Sequence, residues 1–239
     1  MINIGNADFN KSSARKLKVL GFWASENREM CKLFRDGHEK VLFDHGIRLT
    51  TAEYQWESQD NVYVFLTFEN DIAVGGIRLE RINRDNQKLS SVGGALKSKD
   101  EKVIEKILNL GYLNIGEACG LWNDKVVTNE GLSLILSRCC LAAAPLLNCD
   151  VMIAFSGKYT RRISEDMGGV IIKTLGDEGL FDYPNKKFKS MIWNFDVLNI
   201  NKASTECQSR IRSLRNELSQ IYLEHNSRNG LEIEYHIKL

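Results

Sequence analysis

The sequence contains only two prolines, and it has no apolar run close to the roughly 20 residues that span a bilayer. It also lacks an excess of charge, because its formal net charge at pH 7 is +1. A dedicated nucleic-acid-binding protein normally carries a strong basic excess. The N-terminal residues contain no apolar segment of the kind found in signal peptides. We therefore expect a cytoplasmic protein that neither spans a membrane nor binds nucleic acid.

Cysteine pairs and metal-binding patterns are missing as well. The six cysteines are scattered along the chain, and none forms a C-x-x-C pair or has clustered histidine partners. Disulfide frameworks and zinc sites normally show such regular spacings. Because four of the six lie in apolar runs, we interpret them as buried thiols and expect no bound metal. The rest of the composition, with 43% hydrophobic and 26% charged residues, is ordinary for a globular protein.

Residues 115–155 hold the most informative pattern in the chain. An apolar run at 118–122 is followed by a polar loop at 123–130, an apolar helix after Gly131 and a second apolar run at 151–155. Strand, loop, buried helix and strand form a βαβ unit, so we expect the two strands to be parallel neighbours. The first N–H groups of the helix would have no intrahelical partner, which suits a phosphate or pyrophosphate.

The residues before this unit predict a helix and a β-hairpin. Apolar residues recur at helical spacing over 23–44, where Gly37 predicts a break or two short helices. Residues 63–68 and 72–79 are rich in β-forming residues and are joined by a turn, which is typical of a hairpin. We interpret the polar residues 1–22 as an N-terminal arm or a short helix.

Further apolar patterns complete the predicted architecture. They predict a short strand or ordered loop at 89–96, helices at 99–110, 159–167 and 204–225, and strands at 170–175, 188–197 and 231–237. We divide the chain into the arm, a main domain at 23–200, and a C-terminal helix and strand at 201–239. The last strand also fits a partner-binding tail, and this extension could mediate homodimerisation.

Four features carry a resemblance to a known superfamily. They are IGEACGLW at 115–122, GLWND at 120–124, GGIRL at 75–79 followed by GGAL at 93–96, and Gly168-Gly169 before a strand followed by YPNKKFKSMIW at 183–193. Together with the order of elements, they make residues 25–197 resemble the Gcn5-related N-acetyltransferase (GNAT) superfamily. Within it, the chain is most similar to acyl-homoserine-lactone synthases and long-chain N-acyl amino acid synthases. The resemblance implies an α/β (α+β) fold, with a mixed central sheet whose parallel strands splay apart between flanking helices.

The chain departs from the superfamily pattern at three places. The pyrophosphate loop usually reads R/Q-x-x-G-x-G/A, whereas residues 128–133 read TNEGLS and keep one glycine. The arginine of the synthase pattern E-x-S-R is replaced by Gly120, and the tyrosine acid of many acetyltransferases is replaced by Ser164. These departures leave a second interpretation open, namely a GNAT-like protein that has lost catalysis and binds a ligand or a partner.

The resemblance implies that an acyl carrier binds at the end of the first strand of the βαβ unit. Backbone N–H groups would polarise the thioester carbonyl and bind the pyrophosphate of coenzyme A. The residues expected to bind this co-substrate are Leu121, Trp122, Asn123, Val126, Val127, Thr128, Asn129, Gly131, Leu132 and Ser133. Backbone donors do not depend on side chains, so the altered loop still permits phosphate binding. A βα turn without a ligand is the alternative.

Acyl transfer to an amine also needs a base for the amine proton and an acid for the leaving thiolate. Glu117 is the candidate base, and a strand-edge carboxylate paired with an arginine is the alternative. Arg78 is expected to bind a substrate carboxylate or to keep Glu117 ionised, unless it is a surface charge. Ser164 and Tyr183 are the candidate acids.

Two further residue types allow a functional and a structural interpretation. Phe155, Trp122 and Trp193 could line an acyl channel, although core packing explains these aromatic residues equally well. Cys119 has no histidine near it in sequence, so we interpret it as a buried thiol rather than a nucleophile.

The sequence therefore predicts an N-acyltransferase. It would move an acyl group from acyl-CoA or an acyl-carrier protein to a small-molecule amine, such as an amino acid, by direct attack in a ternary complex. Basic residues at 161–162 and 186–189 could contact the 3′-phosphate of coenzyme A or an acidic carrier protein. Solvated surface is the ordinary interpretation of such charges.

Overall fold

The computed structural model describes residues 14–46, 56–87, 90–224 and 230–239. The strands are β1 (Arg15–Trp23), β2 (Val62–Glu69), β3 (Ile72–Ile82), β4 (Ile115–Asn123), β5 (Val151–Gly157), β6 (Val170–Ile171), β7 (Leu180–Asp182), β8 (Lys189–Asp196), β9 (Ile221–Glu224) and β10 (Leu231–Ile237). The helices are α1 (Arg28–Asp44), α2 (Ser91–Leu96), α3 (Val103–Leu108), α4 (Leu132–Ala143), α5 (Arg161–Asp166) and α6 (Thr205–Asn216). The strands form one mixed sheet in the order β6-β8-β5-β4-β3-β2-β1-β10-β9, and β7 also pairs with β8.

The two strands of the βαβ unit, β4 and β5, are parallel neighbours, as the sequence predicts. Their pairing runs from Ile115 opposite Val151 to Ala118 opposite Ala154 and ends there. Both strands continue beyond that point, to Asn123 and Gly157, without pairing with each other. The parallel strands therefore splay apart at their carboxyl ends, which confirms the predicted mixed sheet with a central gap.

Helices cover both faces of the sheet. Successive side chains of a strand point to opposite faces. On β4, Ala118 packs in the same cluster as α4 and α6, whereas Ile115 packs in the cluster that contains α2 and α3. The helix α1 contributes Phe34 to a third cluster, with Trp56 and Trp122. The gap between β4 and β5 thus lies between two helical layers.

The predicted β-hairpin is confirmed, since β2 and β3 pair antiparallel around a two-residue turn at Asn70 and Asp71. Both turn residues have positive φ angles, of 47° and 65°. Turns of this kind match the twist of the flanking strands, and asparagine and aspartate tolerate the conformation better than most residues.

The prediction of an arm or short helix over residues 1–22 is wrong for Arg15 to Phe22. These residues belong to β1, which pairs antiparallel with β2 and parallel with β10. Leu17, Val19 and Gly21 are buried at every second position, and the exposed Lys16 and Lys18 obscured this alternation. Residues 1–13 lie outside the described residues. The predicted division of the chain at residues 22 and 200 stays a prediction, and both flanking segments contribute strands to the same sheet.

The predicted break at Gly37 is also wrong, because α1 is one continuous helix of 17 residues. The glycine is there for packing. A Cβ atom at this position would lie 2.2 Å from the Trp122 indole, so the missing side chain lets α1 approach β4 closely. Helical glycine is therefore not a reliable sign of a break when an aromatic ring packs against it.

Other element boundaries differ from the predicted ones because local capping and pairing decide them. Residues 91–96 form α2, capped by the Ser90 hydroxyl, instead of a strand or loop; Leu89 lies outside the described residues. The helix predicted at 99–110 extends only over α3, and the strand predicted at 170–175 only over β6. The helix predicted at 204–225 ends at Asn216, since the following residues form β9 and pair with β10. Residues 225–229 lie outside the described residues.

Candidate active site

A β-bulge in β4 lies next to the point where β4 leaves β5. Arg78 of β3 is opposite Cys119, whereas Gly76 is opposite Trp122. One residue of β3 therefore faces two residues of β4, Gly120 and Leu121. Gly120 has a φ angle of +63°, a conformation that favours glycine. A bulge leaves backbone groups unpaired and redirects the chain, which is common next to active sites.

The bulge also changes which face of the sheet the following residues occupy. Without an extra residue, Trp122 would share a face with Ala118, because they are four positions apart. Instead Trp122 packs with Phe34 of α1, their ring centroids 6.2 Å apart, on the opposite face from α4. Beyond Ala118, the edge of β4 that faces away from β3 has no strand partner among the described residues.

The loop after β4 uses three of the predicted cofactor-binding N–H groups internally. The Asp124 side chain accepts a hydrogen bond from the Val126 N–H at 3.1 Å. The Val127 and Thr128 N–H groups donate to the carbonyls of Asp124 and Lys125, each at 3.2 Å. These bonds form a 3-10 turn at Lys125–Val127. The turn gives the loop a fixed shape and removes these donors from ligand binding.

The start of α4 keeps its donors free. The N–H groups of Asn129, Gly131, Leu132 and Ser133 have no acceptor among the described residues. Gly131 precedes the helix with a φ angle of +78° and provides no side chain to cap it. Of the remaining predicted positions, which are on β4, Asn123 contacts this helix end, where its Nδ2 donates to Ser133 Oγ at 2.6 Å. Together these residues form a group of unpaired donors that suits an anion.

The charges around this loop are arranged in ion pairs. Glu130 lies 3.9 Å from Arg15, which also binds Glu69 at 2.5 Å. Arg15 Nη1 donates to the Val126 carbonyl as well, at 2.6 Å. The negative charge of Glu130 is therefore partly neutralised, and an anion at α4 would depend on backbone donors and the helix dipole.

A buried polar cluster lies on the face covered by α1 and α2. Arg78 is only 7% exposed, and its guanidinium donates from Nη2 and Nε to Glu80 Oε1, at 2.9 and 3.2 Å. The ring of Trp56 lies against the guanidinium, 4.4 Å away. Arg78 Nη1 has no acceptor among the described residues and lies beside Gly120, where a Cβ atom would be 3.2 Å from it. Arg78 is therefore not a surface charge, and one donor stays available at the bulge.

Glu117 lies in the same cluster and is 1% exposed. Its carboxylate accepts hydrogen bonds from the Ser90 hydroxyl and the Val92 N–H, both at 2.6 Å. No arginine among the described residues donates to this carboxylate, and Arg78 binds Glu80 instead. Burial, followed by the negative charge of Glu80, raises the pKa of Glu117 to about 8. The side chain therefore suits a group that exchanges a proton near neutral pH.

Two neighbours of the cluster have unusual titration behaviour. Burial raises the pKa of the Cys119 thiol well above its ordinary value, so this cysteine lacks the thiolate character of a nucleophile. Ligand atoms of Cys119, Glu80 and Glu117 lie within 4.8 Å of one another, but the Arg78 guanidinium contacts two of the three and provides the positive charge. Burial and the charge of Arg78 lower the pKa of the half-buried His38 to about 4, so its ring is neutral at physiological pH.

The other predicted site residues lie outside this cluster. Phe155, at the end of β5, packs against Tyr183 with ring centroids 5.1 Å apart and against Phe181 at 5.9 Å. Ser164 is buried in α5. Trp122 and Trp193 are 3% and 1% exposed and belong to different core clusters. The three aromatic residues therefore do not line a common channel, and only Phe155 is half-buried beside the gap.

Sequence inspection missed Glu80, Ser90, Ser91 and His38. A signal for Glu80 was present, since Arg78 and Glu80 are two positions apart in a largely apolar strand and therefore share a face. The serines had no signal, because their contacts depend on α2 folding over β4.

The comparisons with known proteins agree with this geometry. No protein-family model matches the chain, and no curated protein matches it by sequence. Among solved structures, FeeM, an N-acyl amino acid synthase from uncultured soil microbes, matches 81% of this chain and 98% of its own. Their sequence identity is 13% and the TM-score is 0.59. The CoA-dependent acyl-homoserine lactone synthase BjaI, with SAM and isopentyl-CoA, matches 93% of this chain and 95% of its own. Here the identity is 11% and the TM-score 0.53.

The chain has a GNAT-like fold. MesI, another CoA-dependent acyl-homoserine lactone synthase, matches 83% of the chain and 95% of its own, with 13% identity and a TM-score of 0.51. The GNAT-like fold accounts for the splayed strands and the loop before α4, and it confirms the predicted fold class. No helix in the described part of the chain is long and apolar enough to cross a membrane.

Proposed function

We propose that the protein is an N-acyltransferase that moves an acyl group from a thioester to a small-molecule amine. The observation that carries this proposal is the bulge at Gly120 and Leu121, placed where β4 and β5 part and beside the free N–H groups of α4. A thioester in this gap would have its carbonyl next to unpaired backbone donors and its phosphates at the helix N-terminus. Coenzyme A is the proposed carrier, and acyl-carrier protein is the alternative.

The reaction is a direct attack in a ternary complex. The amine nitrogen bonds to the thioester carbonyl carbon, the C–S bond breaks, and the carrier leaves as a thiolate. Glu117 accepts the proton that the amine loses, directly or through water. Ser164 or Tyr183 donates the proton that converts the thiolate to a thiol, and the proton taken up by Glu117 returns through water to restore the donor. Backbone N–H groups near Leu121 stabilise the oxyanion that forms during the attack.

Substrate contacts follow from the unpaired groups around the gap. Arg78 Nη1 is the donor that would bind a carboxylate or carbonyl oxygen of the acceptor, and Phe155 would contact the acyl chain. The pyrophosphate would bind to Asn129, Gly131, Leu132 and Ser133, whose N–H groups are free. A cytoplasmic location belongs to the same proposal.

The test combines binding and turnover. Thermal unfolding with coenzyme A and a series of acyl-CoA thioesters should show stabilisation, which amounts to about 2.7 kcal/mol at 100 times the dissociation constant. Release of free thiol across a panel of amines should then identify the acceptor, and Glu117→Gln should slow this release. Undiminished turnover in Glu117→Gln would remove Glu117 as the base, and absence of any thioester effect would overturn the proposal.

A second candidate is a GNAT-like protein that binds a ligand or partner without catalysis. It is favoured by the internal use of the Val126, Val127 and Thr128 donors, which reduces the phosphate site compared with the expected one. Stabilisation by coenzyme A without thiol release from any amine would select this candidate. Homodimerisation through the C-terminal extension stays a prediction; β9 lies at the sheet edge, with Ile221 exposed.

A further inference from the structure

Two glutamates lie directly opposite each other on neighbouring strands of the buried cluster. Glu80 of β3 pairs in register with Glu117 of β4, and their exposures are 0% and 1%. Among the described residues, Arg78 is the one cationic side chain in hydrogen-bond contact with either carboxylate. Two buried carboxylates and one guanidinium leave a negative charge in a low-dielectric site, unless the pair keeps a proton.

The donors around each carboxylate differ in kind. Glu80 accepts two N–H groups of the Arg78 guanidinium, and both of its oxygens lie 3.0 Å from the Ser91 hydroxyl. Glu117 accepts only neutral donors, the Ser90 hydroxyl and the Val92 N–H. A charged, forked donor stabilises an anion more than neutral donors do. The negative charge is therefore held on Glu80, and the proton is held on Glu117.

Within the described part of the chain, no other side chain around Glu117 supplies the missing charge. On its own strand, Cys119 stays a thiol because burial raises its pKa. The α2 residues that reach the cluster contribute hydroxyl and N–H groups alone. On α1, His38 lies near Arg78 and is neutral at physiological pH, because burial and Arg78 lower its pKa.

We propose that Glu80 is a positioning residue that makes Glu117 hold the one exchangeable proton of this cluster. The inference rests on the proposed function, in which the deprotonated form of Glu117, populated as the pH approaches 8, accepts the amine proton. Glu80 contacts no substrate in this scheme. Burial is the larger cause that moves proton exchange at Glu117 from the acidic range of ordinary glutamates towards neutral pH, and the charge of Glu80, fixed by Arg78 and Ser91, adds to it.

The test is an NMR titration of the full chain with ¹³C-labelled glutamate side-chain carboxyl groups. The Glu117 signal is assigned by its disappearance in Glu117→Gln. We expect a Glu117 midpoint well above that of exposed glutamates, and a fall of at least one pH unit in Glu80→Gln, which is a tenfold change in proton affinity. An ordinary midpoint in the unmodified protein, or an elevated one unchanged by Glu80→Gln, would overturn the inference.

Two adjacent serines provide a matched pair of variants in case Glu80→Gln leaves Arg78 uncompensated and does not fold. Ser90→Ala removes a donor from Glu117, so the Glu117 midpoint should rise. Ser91→Ala removes a donor from the Glu80 carboxylate and none from Glu117, so the Glu117 midpoint should fall. Equal effects of the two variants would contradict distinct roles for the two carboxylates.

The titration separates this inference from the proposed function, because it needs no substrate. If no thioester reacts but the Glu117 midpoint depends on Glu80, the proton-holding pair stands and the acyltransferase proposal fails. If acyl transfer occurs and the midpoint is ordinary, the acyltransferase proposal stands and Glu80 has no positioning role.

Discussion

Glu117 is buried beneath the N-terminus of α2, and its proton affects folding as well as chemistry. Its pKa is raised from an ordinary 4.5 to about 8, so the folded state binds this proton more tightly than the unfolded state. The resulting stabilisation is complete below pH 4.5 and is lost as the pH rises towards 8. The Glu117→Gln variant has no titrating carboxyl group at this position, so its stability does not fall for this reason as the pH rises. The difference in unfolding free energy between the variant and the unmodified protein should therefore change in favour of the variant as the pH rises. Between about pH 5 and pH 8, this change should be at least about 1.4 kcal/mol.

Urea unfolding across this pH range would measure the gain at Glu117. Glu105→Gln, at an exposed position of α3, serves as the control and should leave the pH dependence unchanged. Parallel stability curves for Glu117→Gln and the unmodified protein would show that the buried carboxylate titrates normally.

Gly37 gives a second prediction at the scale of one residue. In an exposed helix, glycine to alanine stabilises by about 1 kcal/mol. Here the added Cβ atom would lie 2.2 Å from the Trp122 ring, so Gly37→Ala should instead destabilise by about 1–3 kcal/mol. Chemical denaturation measures the change, with Glu39→Ala at an exposed position of the same helix as the control. A stabilised Gly37→Ala protein would contradict the close packing of α1 on β4.

Single residues also show what the sequence reveals about the site. Glu117 and Arg78 were identified from their motifs, because both lie in segments with a recognisable pattern. The hydrogen-bond partners of these two residues were not identified from the sequence. Arg78 binds Glu80 rather than Glu117, and Ser90 reaches Glu117 across a distance of 27 positions in the chain. Such contacts depend on how α2 packs over the sheet, and the spacing of apolar residues in the sequence does not predict that packing.

Among the elements, the start of α4 is the most informative for function. Ser133→Asp adds a negative charge in its first turn, which should stabilise the unliganded protein by about 0.3–1 kcal/mol through the helix dipole. The same charge should weaken coenzyme A binding tenfold or more, because it repels the pyrophosphate. Calorimetric titration would measure the affinity, and thermal unfolding the stability.

The matched control for the α4 prediction is Ser137→Asp, one turn further along the helix. Its charge lies farther from the free N–H groups, so coenzyme A affinity should change less than in Ser133→Asp. Equal affinity of Ser133→Asp and the unmodified protein would place the phosphates elsewhere.

Whole elements were predictable where periodicity and turn residues agreed. The βαβ unit and the β2–β3 hairpin have both, and the structure confirms them. β1 was missed because lysines alternate with its buried residues in a polar N-terminal region. The end of α6 was missed because Ile221 and Leu223 continue its helical spacing, although pairing with β10 makes them part of β9.

For the molecule as a whole, a buried ion-pair network joins α4, α6 and β9. Arg138 and Arg210 lie 3.4 and 3.5 Å from the same Glu224 oxygen, and Glu224 is 3% exposed. Glu224→Gln should destabilise the protein by about 3–5 kcal/mol, because it leaves the buried Arg138 with only the partly exposed Glu206 as an acidic partner. Glu232→Gln, which breaks a partly exposed pair with Lys16, should cost about 1 kcal/mol or less. Similar losses in both variants would argue against the network as a stabilising link.

The parallel pairing of β1 with β10 has a consequence for synthesis of the protein. The two strands are joined by hydrogen bonds but are separated by more than 200 positions in the chain. On the ribosome, β1 and β2 emerge long before β10 is translated, so one edge of the nascent sheet stays open. Contacts of such long range form late, and an open strand edge can recruit other chains. We expect the growing polypeptide to depend on chaperones until the segment that carries Ile233 leaves the exit tunnel.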